Sequence, residues 1–134
     1  MAEQSDLAPA KAVLTAAYPQ LFVADIAAAC AFFEHKLGFT TVFQYGSPPF
    51  YGQVMRDKAR LNLRCVDGPI VDRDLREREH LLSAYVPVEN VEALYTEYKS
   101  RGVDFHQPLA KKPWGTHDFV VRDVDGNLIC FGSS

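Results

Sequence analysis

The chain has 134 residues, of which 48% are hydrophobic, 23% charged and 12% aromatic, with a formal net charge of -3 at neutral pH. That length suits one domain able to bury roughly two thirds of the surface of its unfolded chain, and the composition excludes disorder and a polyanion-binding surface, hence nucleic acid as a partner. The odd number of cysteines (Cys30, Cys65, Cys130), no basic leader before an apolar block, and no apolar run near the 18 or so residues of a membrane helix together predict reduced thiols, a cytoplasmic location and no membrane partner.

Residues 1–15 contain Pro9 and follow no clean period, and they read as a lead-in or an arm. In "YPQLFVAD", Tyr18 to Asp25, Leu21 and Val23 alternate with Gln20, which predicts a strand ending at a helix-capping residue. Ile26, Ala29, Cys30, Phe33 and Leu37 then recur at spacings of three and four, the stripe of a helix that Gly38 can stop in a left-handed conformation. "TTVFQY" (40–45), "YGQVMR" (51–56) and "RLNLRCV" (60–66) are short β-rich runs parted by turn-like stretches. "DGPIVDRDLREREH" (67–80) is dense in both signs of charge, and it predicts a solvated connector, with or without one helical turn, that carries no chemistry.

The order then repeats. "LLSAYVPVEN" (81–90) alternates as a strand, and Val91, Leu94, Tyr95 and Tyr98 form a helical stripe that stops at Gly102. "VDFHQPL" (103–109), "GTHDFVVR" (115–122) and "NLICFG" (127–132) supply three more strands, the last two joined at Gly126, which can take positive φ. The chain is βαβββ written twice, an α+β class protein: module 1 at about 16–66, a connector at 67–80 and module 2 at about 81–132. Each module is a curved sheet with a helix on its convex face, and two must pair to enclose anything.

Alternation also predicts which side chains face the concave side, because they lie opposite the helix-packing set. With Leu21, Val23, Leu61, Leu63 and Cys65 packing the helix, Tyr18, Gln20, Phe22, Asn62 and Arg64 are left for the cavity. In module 2 the corresponding set is Ser83, Tyr85, Leu128 and Cys130, with Asp118 and Arg122 on the same face. Aromatic walls with a few polar groups suit a pocket for a small organic ligand. Plainer readings stand beside these. Phe22 and Tyr85 also fit as core; Arg64 either clamps an anionic ligand group or bridges to Asp118; Trp114 either covers the pocket mouth or is a structural rim residue. Tyr45, Phe50 and Tyr51 surround the turn "GSPP" and either stack on a ligand or make an interface. Cys130 is a candidate reactive thiol or an inert buried one, with no cation or histidine beside it in sequence to lower its pKa. His35, His80, His106 and His117 read as surface or sheet residues that share no cluster with carboxylates. No serine–histidine–acid set, phosphate-cradling glycine loop or dinucleotide fingerprint is present.

The stretches "LFVADIAAACAFFEHKLGF", "YVPVENVEALYTEYKSRGV" and "PWGTHDFVVRDVDGNLICF", in that order, resemble the vicinal oxygen chelate superfamily of glyoxalases, fosfomycin resistance proteins, extradiol dioxygenases and bleomycin resistance proteins, over about residues 16–132. The resemblance implies that metal-dependent members would place their ligands where this chain has Tyr18, Asn62, Ser83 and Cys130. Of these only the cysteine is a strong donor, and a catalytic metal needs at least three. What the resemblance implies is therefore a metal-free protein without cofactor, like the bleomycin resistance branch: a homodimer whose grooves sequester a small organic ligand without transforming it. Two alternatives remain, a glyoxalase- or dioxygenase-like enzyme holding a divalent metal, and a non-catalytic scaffold in which Arg64 is neutralised internally.

Overall fold

Asp25 sets where the first strand ends, because its carboxylate accepts a hydrogen bond from Ala28 N at 2.8 Å and so starts a helix. The computed structural model describes residues 10–134; of the expected lead-in, residues 1–9 lie outside the described residues and 10–15 form no helix or strand. Strand β1 is Gln20–Val23 and helix α1 is Ile26–His35, with Ile26, Ala29, Cys30 and Phe33 buried as the stripe requires. Gly38 turns the chain out of the helix at φ +73. Strands β2 (Thr40–Gly46), β3 (Pro49–Arg56) and β4 (Ala59–Cys65) follow. The sheet order is β1-β4-β3-β2, with β1 parallel to β4 and the other pairs antiparallel.

The connector holds a helix, α2 (Arg73–Glu79), longer than the single turn its charge density suggests. Module 2 repeats the pattern with β5 (Ala84–Pro87), α3 (Val91–Ser100), β6 (Phe105–Lys111), β7 (His117–Arg122) and β8 (Leu128–Ser133), in sheet order β5-β8-β7-β6. The second helix starts differently from the first. Asn90 is left-handed at φ 60 and its side chain makes no capping bond. The expected turn "GSPP" is tighter than its four residues, since β2 and β3 run into it and leave only Ser47 and Pro48 between them.

Both helices bury their stripes in one apolar core that the modules share, including Phe33, Leu37, Tyr98, Phe119 and Phe131, each no more than 2% exposed. Tyr98 stacks edge-on against Phe119 and Phe131, and its hydroxyl donates to Leu37 O across the joint at 2.8 Å. Beside it the Arg56 guanidinium donates to both oxygens of Glu97 at 2.8 and 2.9 Å, and to Leu37 O at 2.9 Å. At the other end of the joint, Asn127 Nδ2 donates to Phe22 O at 3.0 Å and Ala24 N to Asp125 Oδ1 at 2.9 Å. The two modules are thereby fixed relative to each other. Among the described residues no helix is long and apolar enough to cross a membrane.

Truncating a ring at the centre of this joint removes buried area and leaves a cavity. Phe33→Ala is expected to lower unfolding stability by about 3–5 kcal/mol in urea titration; a loss below about 1 kcal/mol would show that the joint is loosely packed.

Candidate ligand groove

Strand pairing fixes the rows on the concave face of the first sheet. Phe22, Arg64, Tyr51 and Tyr45 lie side by side, and Gln20, Asn62, Gln53 and Phe43 make the next row. The intervening Leu21 and Leu63 point the other way, into the core, at 1% and 0% exposure. The second row satisfies its own amides: Gln53 Nε2 donates to Asn62 Oδ1 at 2.8 Å, and Arg60 donates to Gln53 Oε1 at 2.9 Å. The first row is open and aromatic, with Phe22 at 36% and Tyr45 at 65% exposure; Phe43 leans on Tyr51 and Tyr45 on Phe50, each pair 5.5 Å between centroids. Tyr18, just before β1, is also exposed. Arg64 sits in the middle of that row, exposed, and among the described residues it makes no ion pair or side-chain hydrogen bond. The bridge to Asp118 is not formed; Asp118 Oδ2 is engaged by Thr116 Oγ1 at 3.0 Å instead.

On the second sheet the concave rows are Tyr85, Cys130, Val120 and Gln107, then Pro87, Gly132, Asp118 and Ala110, with Leu128 paired to Arg122 above them. Tyr85 is half-exposed, as a lining residue should be, and burial first and Asp118 second push its phenol pKa upward. Leu128 and Cys130 have the expected orientation but do not line open space. They are buried with Val120 in a small apolar cluster of their own. Burial pushes the Cys130 thiol up to about 12, so at neutral pH it is a protonated, inert sulfhydryl. Ser83 is likewise used internally, accepting from Arg76 at 2.5 Å and donating to Asn127 Oδ1 at 2.9 Å. Trp114 stands on the turn between β6 and β7, 73% exposed, in contact with none of the other rings.

The connector is solvent-exposed, as its charges suggested, with no buried residue in its helix, but it is not loose. Asp72 caps α2 through Leu75 N at 3.1 Å, and Glu77 takes both arms of Arg122, at 2.7 and 2.8 Å. Arg122 also donates to Asp104 at 2.7 Å. His106 Nδ1 lies 3.2 Å from Glu77 Oε1, and its Nε2 lies 2.8 Å from His80 Nδ1. His106 thus meets a carboxylate after all, with His80 against its far ring nitrogen, because α2 folds back over the Ser83–Leu128–Arg122 end of the second sheet. The Asp72 cap was a readable signal for the helix; its docking, made by residues 45 apart in sequence, was not.

The four positions implied for a metal do not fit one. Asn62 Oδ1 and Ser83 Oγ are committed to Gln53, Arg76 and Asn127; Cys130 holds its proton in an apolar cluster; and Tyr18 stands beside no second strong donor among the described residues. Among the described residues no group of three or more histidine, cysteine, aspartate or glutamate side chains could hold a metal ion.

Besides a cleft of about 450 Å³ lined by Gly38, Thr40, Met55 and Arg101, two more lie away from these faces. One of about 610 Å³ runs along the joint between Phe39, Pro87, Leu94 and Phe131, but its charged pair, Arg56 and Glu97, is already mutually satisfied. The other, about 380 Å³, lies under the connector and touches the candidate lining only at Phe22. The concave faces, with Arg64 unpaired and the aromatic row uncovered, remain the site best suited to an organic ligand.

A structure of two βαβββ modules with concave binding faces is a known architecture, and the chain belongs to the Glyoxalase/Bleomycin resistance protein/Dioxygenase superfamily, whose family pattern matches residues 15–131. It is similar to the bleomycin resistance protein of Geobacillus stearothermophilus, 30% identical over 84% of this chain and 92% of the relative. Among solved structures it is similar to the bleomycin-binding protein of bleomycin-producing Streptomyces verticillus, complexed with copper(II)-bleomycin (25% identity, 92% of this chain and 99% of that one, TM-score 0.71). It also shares the fold of a bleomycin-binding protein complexed with bleomycin (22% identity, 90% and 99% coverage, TM-score 0.73).

The docking of α2 carries a pH signature. Hydrogen bonds from Arg122 outweigh burial and hold the Glu77 carboxyl at about 2 rather than 4.5. Because the folded-state value is the lower one, the contribution of Glu77 is fully present above about pH 4.5 and is lost as pH falls toward about 2. The Arg122 side-chain N–H resonance is expected to move over that interval and to be constant in Glu77→Gln; a wild-type resonance unchanged down to pH 2 would contradict the docking.

Proposed function

We propose that this chain is a metal-free, cytoplasmic binding protein that sequesters a small organic molecule of the bleomycin type without transforming it, in a groove over the concave face of the first module. The observation that carries this reading is the aromatic row Phe22, Tyr51 and Tyr45 around Arg64, unpaired and uncovered among the described residues, on the face opposite the one that α1 buries. Flat rings offer stacking area to a planar ligand group, and the guanidinium offers a fork of donors to its carbonyl or anionic groups. Relatives that carry the name bleomycin resistance protein support the ligand class. A second copy of the chain in a homodimer would lay its second module over this face and close the groove. The scaffold alternative requires Arg64 to be neutralised within the chain, and no such partner is found among the described residues. The enzyme alternative requires metal donors that the four implied positions do not supply.

Titration with metal-free bleomycin tests the reading. Saturation at a hundredfold above Kd is expected to add about 2.7 kcal/mol to unfolding stability. Arg64→Ala is expected to weaken binding about 10- to 100-fold, the value of a charge-assisted hydrogen bond, with its own unfolding midpoint unchanged. Unchanged affinity with lowered stability would instead mark Arg64 as a structural residue, and absence of binding by the wild type would remove the ligand class. Dilution sizing tests the shared groove: a monomer that binds as tightly as the concentrated protein would remove the second copy from the site.

A further inference from the structure

Asp118 is a buried acid with one oxygen that no donor among the described residues satisfies, the half-exposed Tyr85 hydroxyl being the donor group beside it. It is 4% exposed, one oxygen is held by Thr116, and the other, Oδ1, has no hydrogen-bond partner among the described residues. A buried acceptor left unpaired is costly, and native structures keep few of them. Gly132 shows that the position is shaped. A Cβ there would lie 1.9 Å from Asp118 Oδ1 and 2.7 Å from the Tyr85 hydroxyl, yet its φ is not in the left-handed region that favours glycine. The glycine therefore serves space, not backbone conformation: it lets the carboxylate lie flat on β8 with the Tyr85 hydroxyl beside it, and a strand glycine of this kind marks a close approach.

The chain's own cations near this face are engaged elsewhere. Arg122 is held by Glu77 and Asp104, Arg76 by Ser83 and Leu81 O, and Lys112 by Gln107 at 3.4 Å. A carboxylate oxygen only accepts, so the missing partner is a donor, and a cationic donor gains most from it. In the adjoining row Cys130 and Val120 are buried, so the side chain open to a ligand there is the aromatic Tyr85, which suits a cation carried on a ring or a short hydrocarbon. Tyr85, 43% exposed, is the side chain that such a group would meet first.

We propose that the groove's second module is a cation subsite, in which an ammonium or amidinium group of the ligand binds Asp118 Oδ1 beside the Tyr85 hydroxyl. This rests on the groove reading above and adds what kind of ligand end the second module accepts. Arg64 on the first sheet and Asp118 on the second then select a ligand that is acceptor-rich at one end and cationic at the other.

The test uses benzamidine and its neutral counterpart benzamide as probes, read by amide chemical shifts of Thr116, Asp118 and Gly132, with metal-free bleomycin in a separate arm. Benzamidine is expected to shift these three amides and benzamide to leave them unmoved. Asp118→Asn should weaken benzamidine binding tenfold or more, and Tyr85→Phe, which keeps the carboxylate, by a smaller factor. Equal response to both probes, no response to benzamidine, or unchanged affinity in Asp118→Asn overturns the subsite. So does an Asp118→Asn effect on self-association alone, since the donor would then come from a second copy of the chain. Should Asp118→Asn fail to fold, the contrast between the two probes on the wild type decides. Bleomycin binding that survives Asp118→Asn intact sinks the subsite and keeps the groove; benzamidine binding at Asp118 without bleomycin binding does the reverse.

Discussion

A β-sheet has two faces, and this chain has only enough helix to cover three of the four that its two sheets present, one of them in part. Helices α1 and α3 take the convex faces, where Leu21, Leu63, Phe119 and Phe131 wait for them. Helix α2 takes one end of the second concave face through Glu77 and Arg122. Among the described residues no helix covers the first concave face. Period-two alternation makes this unavoidable, because residues between the helix-packing positions must point the other way. What the chain places there is informative: amides that satisfy one another in one row, and in the other an aromatic series around a free guanidinium.

The joint between modules turns those faces into a site of fixed geometry. The Arg56–Glu97 fork, the buried Tyr98 hydroxyl on Leu37 O and the Asn127 amide on Phe22 O tie the sheets at both ends. Phe22 is therefore held by its backbone from the second module while its ring faces the first groove. A ligand on this face meets pre-positioned rings and loses little in ordering them.

Much of the fold was legible because local residues punctuate it. Asp25 caps, Gly38 and Gly102 stop their helices with positive φ, and Leu21, Val23, Leu61 and Leu63 announce their buried face by alternation. The orientation of Gln20, Phe22, Asn62, Arg64 and Tyr85 followed from the same rule. What each face then meets is not a local property. Leu128 and Cys130 point to the concave side yet are sealed with Val120, and Ser83 is captured by Arg76 of a solvated helix whose contacts local charge density does not reveal. The pairing of His80 with His106, and the failure of Arg64 to reach Asp118, likewise depend on how the modules sit against each other. That Tyr51 lies beside Arg64, and Phe43 and Gln53 in the row beside Asn62, needed the strand register to be seen.

The most direct measurement is hydroxyl-radical footprinting of the aromatic side chains with and without metal-free bleomycin. A ligand on the first concave face should protect Phe22, Phe43, Tyr45 and Tyr51 together, while Tyr98 and Phe119, already buried, stay silent in both states. Labelling of the four rings unchanged by a ligand that binds would contradict a groove on that sheet.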